Sequence, residues 1–155
     1  MSTITELKDS INTKTVNLVL LTIATGGIYP ILWMYKNCSI LESITKKKIS
    51  DNVFIIWLAV CVGLGGVLTG TGEEALDIIA GLLTIASWVL YIVWSYKAKA
   101  ALQEYALNEH KIDLRMNAFY TFIFTIYYIN YCVNDLPEAK RKQEILSGQP
   151  ATTES

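Results

Sequence analysis

The chain has 155 residues, of which 52% are hydrophobic and 17% charged, and is richer in apolar side chains than an ordinary soluble domain. Its net charge of −1 averages over a strong segregation of sign along the chain, so the distribution of charge matters more than the sum. The single histidine and the spacing of Cys38, Cys61 and Cys132 match no metal-ligand pattern, so the thiols are expected to be reduced.

Residues 1–15 form an N-terminal segment without the basic-then-apolar order of a removable signal peptide. Within it, "TITELKDSI" sets Thr3 and Glu6 in capping-box spacing and puts Ile4, Leu7 and Ile11 on one side. That pattern predicts a short helix lying in a membrane interface. A membrane domain is expected over 16–136, with apolar segments at 16–35, 53–70, 76–96 and 116–133. Each approaches the roughly 20 residues a helix needs to cross about 30 Å of hydrocarbon.

The first segment contains "ATGGIYPILWMYKN", in which Gly26 and Gly27 admit unusual backbone angles and Pro30 lacks an amide donor. These three residues predict a helix break. The second and third segments are the clear spans and carry no internal charge apart from Asp77 at a boundary. Ala59, Gly63, Gly66 and Gly70 form a stripe of small residues on the second, and Ala80, Thr84 and Ser87 a similar one on the third. Such stripes let helices approach closely in lipid, either within one hairpin or between two copies. Past the third span, "KAKAALQEYALNE" keeps helical spacing through Ala98, Ala101, Leu102 and Tyr105. The fourth segment has no Gly or Pro but holds Asn117, Thr121, Thr125 and Asn130. Residues 137–155 are expected to be a cytoplasmic tail, basic at first and then disordered.

Charge orients these elements. Residues 49–96 contain no Lys or Arg, so the acidic loop 70–77 is expected outside, with loops 36–52 and 97–115 cytoplasmic. If the first and fourth segments spanned fully, both basic termini would lie outside, against that rule. Partial insertion from the cytoplasmic side keeps every basic residue inside. Four full spans, with kinks of the kind membrane helices tolerate, are the alternative. The expected fold is therefore an all-α integral membrane protein: a central transmembrane hairpin flanked by two broken, re-entrant or kinked apolar helices.

"ILWMYK" at 31–36 echoes "IVWSYK" at 92–97. Trp and Tyr followed by Lys is the pattern of a membrane-interface belt, which makes Trp33, Tyr35, Lys36, Trp94, Tyr96, Lys97, Tyr128 and Tyr131 candidate interfacial anchors. The T-x-G-I-Y-x-x-x-W-x-Y-K pattern at 25–36, with "FYTFIFTIYYINYCVNDL" at 119–136, resembles the domain-of-unknown-function 4234 family of small bacterial integral membrane proteins. The resemblance covers roughly residues 15–136 and implies a multi-pass protein of the bacterial inner membrane, but transfers no activity, cofactor or catalytic residue.

Chemistry-bearing patterns are sparse. His110 has Glu109 and Asp113 nearby but no second His to complete a metal site. "GLGGVLTGTG" lacks the Lys-Ser/Thr ending of a phosphate loop. The basic runs "TKKKIS" and "AKRKQE" fit orientation signals or anionic-lipid contacts better than nucleic acid. The expectation is a non-enzymatic scaffold, accessory subunit or membrane-shaping element without cofactor, partnered by the bilayer and by copies of itself or another membrane protein. A channel or transporter subunit using the break at Gly26–Pro30 is the alternative, weakened by the absence of ionisable groups inside the segments.

Overall fold

The computed structural model describes residues 4–148, and 81% of these described residues are in helices, with no strand among them. The helices are α1 (Ile4–Ile11), α2 (Thr15–Ala24), α3 (Tyr29–Thr45), α4 (Asn52–Leu68), α5 (Glu74–His110) and α6 (Ala118–Leu146). Thr3, the expected cap of α1, and residues 149–155 of the expected tail lie outside the described residues.

α5 is the axis of the fold. Its 37 residues extend over about 55 Å at the helical rise. It is long and apolar enough to cross a membrane: an 18-residue window has mean hydropathy 2.1, yet only 11% of that window is buried. The polar second half is no loop but the same helix. It ends at Lys111 in the left-handed region (φ 58°), where Ile112 N–H closes back onto Ala106 O at 3.0 Å.

α4 runs back along the first half of α5. Gly65 makes the approach: a Cβ there would sit 3.4 Å from Thr84 Oγ1 and 3.6 Å from Ala80 O. This corrects the expected packing face. Ala80, Thr84 and Ser87 do lie on the α4-facing side or next to it, but Gly63 and Gly66 have open space where a Cβ would be. Ala59 turns outward with them, since a helix can offer only one face to one neighbour. Gly70 serves the turn instead, with φ 77° and its N–H donated to Asp77 Oδ1 at 2.8 Å.

The core sits beside the polar half of α5. Trp33, Met34, Asn37, Cys38 and Leu41 form the buried stripe of α3, and Trp94, Ser95, Ala98, Ala101, Leu102, Tyr105 and Ala106 the matching stripe of α5. The echoed segments thus pair side by side, and Trp33 meets Trp94 edge-to-face at 6.3 Å. Two expected anchors are corrected here: Trp33 and Trp94 are 2% and 0% exposed. Each belongs to the helix face that its neighbour covers, a fact invisible in the residue type.

α1 also departs from expectation. Ile4, Leu7 and Ile11 are buried in this same core, against α3 and α6, so its apolar face is already occupied by protein. The basic stretch after residue 136 continues α6 and is helical to Leu146. Loop 46–51 is pinned by Glu42, whose Oε1 accepts from Ile49 N–H (2.7 Å) and Ser50 N–H (2.9 Å). Cys38 lies beside it, 3.2 Å from Ser50 Oγ, and burial pushes its thiol above the usual range against the opposing effect of Ser50 and Trp94.

Candidate functional site: two helix reversals

The most unusual local geometry occurs at two places where a helix stops and doubles back. The first joins α2 to α3. Gly26 (φ 59°) and Gly27 (φ 92°) take up the positive backbone angles that the turn requires. Thr25 ties the two halves together: its hydroxyl donates to Leu21 O at 2.7 Å and accepts Tyr29 N–H at 3.0 Å. Pro30 is buried in the first turn of α3, where its missing donor costs nothing. Its role is therefore to open the second helix, and the glycines make the break.

The second reversal lies inside α6 at Thr125, whose φ of 41° and ψ of −115° are non-helical. A β-branched residue with positive φ is strained. The chain before it folds against the chain after it: Asn117 N–H donates to Tyr128 Oη at 2.9 Å, and the rings of Tyr120 and Tyr128 are 5.8 Å apart. A straight helix would hold residues 117 and 128 about 16 Å apart along its axis. The entering limb is tied to α5 by Tyr96 Oη donating to Ala118 O (2.9 Å) and by Phe122 against Trp88 at 5.3 Å. The returning limb buries Ile126, Ile129, Val133 and Leu136.

The two reversals touch. Tyr127 Oη donates to Thr22 Oγ1 at 3.1 Å, and Thr22 in turn donates to Leu18 O at 2.7 Å. Further along the same flank, Asn130 Nδ2 donates to Thr13 O (2.9 Å) and Thr15 Oγ1 (3.1 Å), and Asn134 Nδ2 to Thr13 O (2.9 Å). Asn130 and Asn134 thereby fix the entry to α2, while Asn117 and Thr121 bond within the first turn of α6. A groove of about 500 Å³ opens beside the first break, lined by Gly26, Ile28, Ile31, Leu32, Ala59, Val62, Gly63, Gly66 and Val67.

Of the remaining expected anchors, Tyr35, Lys36, Tyr96, Lys97 and Tyr131 are exposed, while Tyr128 is half-buried and stacked on Tyr131 with ring centroids 6.4 Å apart. Lys99 lies over the Tyr96 ring at 5.7 Å. Among the described residues no group of three His, Cys, Asp or Glu could hold a metal ion. His110 instead bonds Tyr105 Oη at 2.9 Å. Residue type marks none of Thr22, Thr25 and Thr125 as a helix breaker, although Thr25 is the first letter of the T-x-G-I-Y pattern.

Residues 13–104 match the family described as "Domain of unknown function (DUF4234)". No curated protein and no solved structure matches the chain. The matched range contains the first reversal, the α4–α5 pair and Trp33 with Trp94, and ends before the α6 reversal.

Proposed function

The chain belongs to the DUF4234 family, and from that premise we propose a non-enzymatic, multi-pass protein of the bacterial inner membrane that shapes or scaffolds the bilayer. In this reading α4 and α5 cross as a hairpin, with the Thr69–Glu73 turn outside and the 46–51 and 111–117 connections in the cytoplasm. The two reversals enter from the cytoplasmic side and return without crossing.

Support comes from the surface of the hairpin. Val53, Ile56, Trp57, Val60, Leu64 and Val67 of α4, and Ile78, Leu82, Ile85, Trp88 and Val89 of α5, are all exposed. An apolar surface this extensive needs a partner other than water. The 17 residues of α4 give about 26 Å, close to the thickness of a hydrocarbon core. The absence of Lys and Arg over residues 49–96 orients the pair.

One observation carries the functional step. The reversals meet through Tyr127 and Thr22, beside the Trp88-to-Tyr96 stretch of α5, whereas near the Thr69–Glu73 turn Val67, Ile78 and Ile79 are exposed. A protein so built occupies more area in the cytoplasmic leaflet than in the outer one, and such a wedge bends a bilayer. The side chains lining the groove beside the break are all apolar, so none of them is an ionisable group for ion coupling, which weighs against the transport alternative.

The topology is tested with single cysteines at positions 8 and 140 in a background in which Cys38, Cys61 and Cys132 are all replaced by Ser. An impermeant maleimide should label neither in intact cells and both in opened ones; labelling of intact cells overturns the re-entrant arrangement. The shaping role is tested by reconstitution into large vesicles at increasing protein-to-lipid ratio. Narrowed or tubular vesicles are expected. A monomer that leaves vesicle shape unchanged at high density overturns it.

A further inference from the structure

We infer that the groove beside the first reversal is a binding site for one anionic phospholipid of the cytoplasmic leaflet, with an acyl chain along the glycine face of α4 and the phosphate at Lys36. This rests on the topology proposed above.

The groove has a floor without side chains, because Gly63 and Gly66 turn their bare faces outward and a Cβ at either would meet nothing within 4 Å. Its walls are Ile28, Ile31 and Leu32 of the break and of α3 on one side, and Val62 and Val67 of α4 on the other. At about 500 Å³ it is within the size range of small-molecule sites. Lys36 stands one helical turn beyond Leu32 on the same face of α3. Helical side chains lean toward their N-terminus, which here is the groove. Lys36 has no carboxylate partner among the described residues, whereas Lys46, Lys47, Lys48, Lys140 and Lys142 all have one. A free cation at the surface end of an apolar channel complements an anionic headgroup on a hydrocarbon chain.

The test uses the full chain, extracted from mixed phosphatidylglycerol and phosphatidylcholine vesicles and weighed with its retained lipids by native mass spectrometry. One tightly held phosphatidylglycerol per chain is expected. Lys36→Gln should reduce its preference over phosphatidylcholine about fivefold, the size of a single lysine at an anionic surface. Gly63→Leu with Gly66→Leu, which fills the groove from its floor, should abolish retention, while Lys97→Gln should not change it. Equal retention of both lipids, or retention unaffected by Lys36→Gln, overturns the site. Dimers that the double leucine variant disrupts also overturn it, in favour of a second copy in the groove. Cysteine labelling at position 8 in the same preparations separates the two levels: a position exposed on the outer face defeats the topology, and a protected one with no lipid preference defeats the lipid site alone.

Discussion

The four tryptophans divide evenly between two regions of the molecule. Trp33 and Trp94 are buried against each other beside the polar half of α5, while Trp57 and Trp88 stand 62% and 48% exposed on the α4–α5 pair. Around the first two, helices present matched stripes and a polar outer surface. Around the second two, apolar side chains cover nearly every direction and few are buried. The same side chain thus serves two solvents, protein interior in one region and, in the proposed topology, lipid in the other. Burial inside the protein measures packing only where water is the alternative.

The largest way to break this contrast is to truncate one tryptophan of each kind. Trp94→Ala should cost about 3–5 kcal/mol, as large aromatic truncations in a core do. Trp57→Ala should leave stability in detergent nearly unchanged, since its ring touches little protein. Comparable losses in unfolding titrations of the two variants would erase the distinction between the regions.

Glycines sharpen the same contrast with opposite signs. Gly27→Ala should destabilise by about 1–2 kcal/mol because an L side chain must adopt φ 92°. Gly66→Ala sits in a helix with open space around it and should stabilise by roughly 0.5–1 kcal/mol. Thermal unfolding in one detergent compares both directly; a destabilised Gly66→Ala would mean that this face is already packed.

Next comes the contact between the reversals. Thr22→Val removes the acceptor of the Tyr127 hydroxyl at nearly constant shape and should cost about 1 kcal/mol. Hydrogen exchange should rise at both Thr25–Ile28 and Thr125 in that variant; a rise at only one would show that the two turns are independent.

The smallest effect belongs to the polar rim. The Lys46 ammonium holds the Glu109 carboxyl below its usual range at 3.0 Å, and Lys142 does the same for Glu138 at 2.8 Å. A depressed folded-state value makes the stabilisation present above the ordinary carboxylate range and lost as pH falls through the lowered value. Acid titration below about pH 4 should therefore shift the melting temperature slightly, and high salt should remove the shift because both pairs face solvent.

Periodicity and charge made the helical architecture, the α4–α5 pair and the break at Gly26 and Gly27 readable, because each depends on local residue type. What escaped depends on neighbours. Gly65 rather than Gly63 or Gly66 meets α5 because the facing helix fixes the rotation, and a glycine-rich run offers several equivalent stripes. Trp33 and Trp94 fit an interfacial belt by type and are withdrawn from it only by meeting each other. The apolar side of α1 is the same whether lipid or α6 covers it. The polar residues of the fourth segment marked it as atypical but not where it turns: with neither Gly nor Pro nearby, the turn at Thr125 is imposed by what the flanking limbs bind.

The turn at Thr69–Glu73, closed by Gly70 donating to Asp77, has a consequence for biogenesis. In the proposed topology this small, cation-free turn is, among the described residues, the only connection between helices that has to be translocated. The ion pairs that join the 46–51 connection to α5, and the Trp33–Trp94 core, can assemble on the side where the chain is synthesised. Insertion then reduces to threading one hairpin, and folding never has to wait for a Lys- or Arg-bearing segment to cross.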